Sequence, residues 1–206
     1  SITVGAKEWS HVAAVYNSYY KYAILYINGE YVNSSTPVLG GTRINTSSKI
    51  QIGRYDNGTP SWGNGQIDDL RIWSYTRTNY DIPKYMNFQL EGNENGLATY
   101  YSFDEISGEK YYNRVTGLYD ASLEGNATRL NFLGRGLSFD GTDKVSIGSN
   151  LDNDTLSIAG WINFAGGGDI KTIFAAGNDN THKNSYLYVN SSNNSDRKLI
   201  FENFDG

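Results

Sequence analysis

The 206-residue chain contains no cysteine, which removes disulfides, thiolate metal sites and cysteine nucleophiles together. Proline occurs three times and methionine once, so little of the apolar volume comes from helix-type side chains. With only His11 and His182 present, neither a histidine-rich hydrolytic metal site nor a Ser-His-Asp triad has much to build on. Basic side chains are outnumbered, 17 Lys and Arg against 22 Asp and Glu for a net charge of −5. They do not cluster, and phosphate contacts need clusters, so nucleic acid is excluded as a partner. No window approaches the ~18 consecutive apolar residues of a membrane span, and Ser1 is not followed by the charged and apolar regions of a signal peptide. The acidic balance suits cations instead.

What is abundant is aromatic: 17 Tyr, 8 Phe and 4 Trp. Together with many β-branched residues this is the composition of pleated sheets. His11–Tyr16 and Ala23–Asn28 read as strands, and Asn28-Gly29 between Ile27 and Tyr31 is a tight-hairpin signal. Further strands are expected at 50–53, 67–73, 97–103, 137–139, 144–147, 156–164, 171–175, 186–189 and 198–201. In the second of these, strict alternation sets Ile67, Asp69, Arg71 and Trp73 opposite Asp68, Leu70 and Ile72. A long loop is expected from Tyr55 to Gly65. One short helix is expected over Asn79–Asn87, with Pro83 inside its first turn. The turn-rich Glu91–Gly96 could pass for a linker, but either half alone would leave unpaired sheet edges and a poor core, so one domain over 1–206 is expected.

Several stretches carry a resemblance. Trp9-Ser10-His11-Val12-Ala13-Ala14-Val15-Tyr16, followed by Leu25-Tyr26-Ile27-Asn28-Gly29, resembles the hallmark of laminin G-like and pentraxin-like domains, and Gly65-Gln66-Ile67-Asp68-Asp69-Leu70-Arg71-Ile72-Trp73 resembles their closing strand. Leu137–Val145 and Leu156–Ile162 resemble their opening strands. The resemblance implies an all-β, two-sheet antiparallel jelly-roll β-sandwich of the concanavalin A-like kind with one short helix. The order is unusual. Residues 1–92 resemble the C-terminal half of the family fold and 97–206 its N-terminal half, as in a circular permutant or an out-of-phase piece of a tandem array. Completion within the chain is expected over a domain-swapped dimer.

The same resemblance suggests chemistry. In pentraxin-like domains two loops bind calcium, and here they correspond to Asp56-Asn57 and Asp179-Asn180, an all-oxygen donor set that suits a hard cation. Tyr55, Trp62 and His182 flank these loops and are expected to contact ligand, since aromatic faces beside amides are how proteins hold sugars. Related sandwich-fold glucanases hold a structural calcium through an Asp in a similar closing strand, which makes Asp68 with Asp104 an alternative metal site. Trp9, Trp73, Trp161 and His11 are expected in the core, and Tyr16, Tyr19, Tyr20 and Tyr22 as a sticky patch or a cover for a sheet edge. The expected function is a non-catalytic, calcium-assisted carbohydrate- or ligand-binding module of a secreted or cell-surface adhesion protein, joined to neighbouring modules and binding a glycan or an extracellular protein. A passive structural spacer is the alternative. A glycoside hydrolase has less to recommend it, because the E-x-D-x-x-E strand motif of the glucanases is absent.

Overall fold

A computed structural model of the protein describes residues 3–35, 44–45, 50–55, 61–62, 64–108, 110–115, 119–130, 136–147, 152–165, 170–178, 183–190 and 197–204. In chain order the first strands are β1 (Ser10–Asn17), β2 (Tyr22–Ile27), β3 (Glu30–Ser35), β4 (Ile44–Asn45), β5 (Ile50–Ile52), β6 (Arg54–Tyr55), β7 (Ser61–Trp62) and β8 (Asn64–Trp73). After the helix α1 (Asp81–Tyr85) come β9 (Leu97–Tyr101), β10 (Lys110–Tyr111), β11 (Ala121–Glu124), β12 (Thr128–Arg129), β13 (Leu137–Asp140) and β14 (Lys144–Ile147). The last are β15 (Asp152–Asn153), β16 (Thr155–Phe164), β17 (Ile170–Asn178), β18 (Lys183–Asn190) and β19 (Lys198–Phe204).

Two antiparallel sheets form the sandwich. One runs β12-β13-β8-β16-β1-β2-β3, with β9 also paired to β8, and the other runs β10-β11-β14-β5-β17-β18-β19. Strands from both halves of the chain alternate inside them. β16 lies between β8 and β1, and β5 lies between β14 and β17. Val12, Ala14, Tyr16, Leu70, Ile72, Tyr101, Phe103, Ile158, Phe174 and Leu187 meet in one core between the layers. Burying that apolar surface is the main stabilising term, at about 25 cal/mol per Å² removed from water.

Sequence and structure agree closely at the first hairpin. Asn28 and Gly29 take φ of 52° and 79°, the left-handed pair a two-residue hairpin turn requires. The Asn28 side-chain oxygen accepts the His11 backbone N–H at 2.8 Å. β1 is buried along its whole length because both its faces are covered. The residues that face away from the core, Ala13 and Val15, pack with Tyr26 and Ala159 under Ile82 of α1. The helix is shorter than expected, Asp81–Tyr85. It is started by Thr78 and Asp81, whose side chains each bond the other's backbone N–H at 3.1 Å.

Two expectations are corrected. The stretch read as one long loop pairs Arg54 with Trp62 and Tyr55 with Ser61, a ladder too short to leave a periodic signal. β8 does not alternate through Asp68 and Asp69. Its register with β16 passes from Ala159↔Arg71 to Trp161↔Asp68, so Gly160 alone faces Asp69 and Leu70. Asp69 sits at a φ of 57°, and the extra residue rotates the strand. Ile67, Leu70 and Ile72 therefore all reach the core, while Asp68 and Asp69 share the outer face.

Candidate functional site

The bulge lies where β8's edge changes partner. β13 pairs with residues 64–67 of β8 and β9 with 70–73, leaving Asp68 and Asp69 between the two strand ends. Outside them the chain after α1 crosses the sheet face, and between that crossing and the sheet lies a cleft of about 410 Å³. Asp68, Asp69 and Tyr100 line it together with Trp161, Trp9 and Phe88, and Gln89 and Asp104 add further polar groups.

Arg71 holds the crossing segment in place. The residue is 2 % exposed, and its guanidinium donates to the carbonyl oxygens of Tyr85 and Phe88, both at 2.6 Å, and to the Asp69 carboxylate. The Trp161 indole N–H donates to the Met86 carbonyl at 3.0 Å from the neighbouring strand. Three carbonyls of this segment are thereby satisfied from the sheet. Its side chains are left to shape the cleft.

Arg71 is spent on Asp69 and the two carbonyls, and one oxygen each of Asp68 and Asp69 is buried without a hydrogen-bond partner. Burial, then the Asp69 and Asp104 charges, push the Asp68 carboxyl up to about 8. Burial also lifts Asp69 despite Arg71 beside it, and burial followed by Asp69 raises the Tyr100 hydroxyl. Under the cleft, the His11 ring stands edge-on to Trp161 at 5.5 Å with Nδ1 unpartnered. Burial and then Arg71 lower its pKa to about 3, so it is neutral at ordinary pH.

Asp68 and Asp104 are thus brought to one cleft, as the alternative metal site requires. Their donors are all oxygen, which fits calcium in kind. Among the described residues no three acidic or histidine side chains are grouped to hold an ion, so backbone or amide oxygens and water would have to complete such a shell. Asp56, Asn57, Asp179, Asn180 and His182 lie outside the described residues. Tyr55 and Trp62 are placed on the paired strands β6 and β7.

The tryptophan expectation needs correction. Trp73 is buried, but on the outer face with Leu90, Leu97 and Tyr100. Trp9 is 37 % exposed at the cleft and Trp161 lines it. Hydrophobicity alone does not reveal which face of a doubly covered sheet a side chain occupies. The tyrosine group divides: Tyr16 is core, whereas Tyr19 and Tyr20 project at the β1–β2 turn. Glu94 organises its own turn by accepting the backbone N–H groups of Glu91 and Gly92, at 2.8 and 2.9 Å. Sequence reasoning missed Asp69, Phe88 and Gln89 at the cleft. Gly160 within a strand was the one available sign of a bulge there.

Residues 1–83 match the family model of the concanavalin A-like lectin/glucanases superfamily, and this part of the chain has that fold. Searches of curated proteins and of solved structures gave no match. The superfamily's name covers both lectins and glucanases.

Proposed function

We propose that the protein is a non-catalytic carbohydrate-binding module whose ligand enters the cleft on the outer face of the larger sheet. The observation that carries this reading is the pairing of aromatic side chains at the cleft, Trp9 and Phe88, with the carboxylates of Asp68, Asp69 and Asp104. A sugar ring offers C–H faces to the former and hydroxyl donors to the latter. The match of residues 1–83 to a superfamily that includes lectins supports it. Calcium assistance belongs to the same proposal. Asp68 and Asp104 would hold the ion together with backbone or amide oxygens and water, and the ion would offer open positions to ligand hydroxyls. Residues 97–206 would contribute the family's N-terminal half and 1–92 its C-terminal half, in permuted order. The module would act outside the cell within a larger adhesion protein.

Binding to a panel of immobilised glycans, with and without chelator, tests this reading. Trp9→Ala and Phe88→Ala should each weaken retention about tenfold, within the range of a lost stacking contact, with the thermal midpoint unchanged. If both variants bind like the parent, the cleft is not the site.

A further inference from the structure

We infer that the outer edge of β19 is a docking site for a second copy of this chain, the two copies pairing β19 to β19 antiparallel about a two-fold axis at Ile200. The inference does not depend on the carbohydrate-binding reading, because β19 belongs to the smaller sheet and the cleft lies on the larger one.

Besides β19, the edge strands of the two large sheets are β3, β9, β10 and β12. β10 and β12 are two residues long, and β3 and β9 each meet their neighbour through a bulge. Short length and bulging both keep an edge from pairing with another chain. β19 has neither. Its seven residues match β18 one to one, from Lys198↔Asn190 to Phe204↔Asn184, and none is proline. Among the described residues no strand pairs with its other edge. A regular edge of this length is a template for one more strand.

The residues of β19 determine which strand fits. Leu199 joins the core, and Phe201 packs against it with its ring 5.6 Å from that of Tyr16. Alternation therefore sets Lys198, Ile200 and Glu202 on the outer face of the sheet. Lys198 is exposed there, and Glu202 accepts the Tyr188 hydroxyl. A two-fold axis at Ile200 brings Lys198 opposite the partner's Glu202 and Glu202 opposite the partner's Lys198, with the two isoleucines face to face between these pairs. On the inner face it sets the half-buried Phe201 against the partner's Leu199. Opposed unlike charges and opposed apolar side chains stabilise a ladder, and like charges destabilise it. Moving the axis to Phe201 would set Ile200 opposite the partner's Glu202 and lose both ion pairs, so the charges fix the register. The patch meets itself, as a closed two-fold contact requires. The Arg197 carbonyl already accepts the Val4 N–H at 3.1 Å, which ends the shared ladder at Lys198.

Sedimentation equilibrium over a range of concentration tests this with the parent chain and three variants. The parent should pass from 22.9 kDa toward twice that mass as concentration rises. Lys198→Glu and Glu202→Lys each set like charges opposite one another at both ends of the ladder, and each should weaken dimerisation about tenfold or more. An equimolar mixture of these two variants should recover the parent's dimer, since every Glu at these positions then faces a Lys. Ile200→Lys sets two ammonium groups face to face at the axis without entering the core, and should abolish the dimer; it keeps the test decisive if either reversal fails to fold. A parent that stays at 22.9 kDa at every concentration overturns the inference. So does a dimer that Ile200→Lys leaves intact, or one that two folded reversal variants do not restore on mixing.

Discussion

Gly160 stands opposite the bulge that turns Asp69 outward, and a Cβ placed on it would come within 3.3 Å of the Asp68 carbonyl oxygen. A side chain there has to displace the backbone that aims both carboxylates. Gly160→Val should destabilise the fold by about 1–3 kcal/mol, the usual cost of overpacking. It should also weaken ligand binding more than the stability loss explains. Denaturant unfolding beside a binding isotherm checks this, and unchanged values in both would show that the bulge tolerates a larger residue.

Arg71→Met removes the guanidinium that joins Asp69 to the Tyr85 and Phe88 carbonyls. Asp69 is left buried without its partner, and breaking such a pair costs about 3–5 kcal/mol. Arg71→Lys should recover only part of the loss, because an ammonium lacks the planar fork that reaches three acceptors. Equal stability of the lysine variant and the parent would argue against this geometry.

Stability against pH should have three limbs. Asp68 keeps its proton up to about 8 in the folded chain, against an ordinary 3.8. Its contribution is complete below 3.8 and is lost as pH rises through 8. His11 runs the other way, with a folded value of about 3 against 6.5. Its contribution is complete above 6.5 and is lost as pH falls through 3. Lowering the pH from 8 to 6.5 should therefore raise stability by up to about 1.4 kcal/mol per unit, the linkage of one proton. Between 6.5 and 3.8 the two slopes oppose, and below 3.8 stability should fall. Asp68→Asn should abolish the alkaline limb and His11→Gln the acid one, as read from urea midpoints over pH.

Gly29 combines a φ of 79° with contact to the helix. A Cβ there would lie 2.9 Å from the Pro83 Cβ and 3.2 Å from the Met86 sulfur. Gly29→Ala should cost about 1–2 kcal/mol from the left-handed backbone alone, and it should shift α1 as well. Hydrogen exchange should rise at Met86, whose N–H bonds the Ile82 carbonyl. A stability loss with no change in exchange would confine the effect to the turn.

The hairpin at Asn28-Gly29 and the strands at Lys144–Ile147 and Leu156–Phe164 were legible because each carries a local signal: a turn dipeptide or a run of regular pattern. Lys110–Tyr111, Ala121–Glu124 and Thr128–Arg129 were not, since two to four residues are too few to show a period. At the cleft, Asp68 and Asp104 were singled out by the resemblance of the Ile67–Trp73 strand to that of the glucanases. Asp68 was grouped with Leu70 and Ile72 and set opposite Asp69, because a period of two presumes an unbroken ladder. Trp9 and Trp161 read as core because apolar character does not distinguish the inside of a sandwich from a covered outer face.

β9 and β13, both from the second half of the chain, pair with one edge of β8, from the first, on either side of Asp68 and Asp69, and this places the seam between the two halves at the floor of the cleft. Trp9, Asp68 and Phe88 come from one side of Glu91–Gly96, and Tyr100, Asp104 and Trp161 from the other. Neither half holds a weakened copy of the site. The cleft behaves as a coincidence detector, reporting that both halves have folded and found each other. Two polypeptides divided at Glu91–Gly96 should be silent apart and regain binding only when they reassemble.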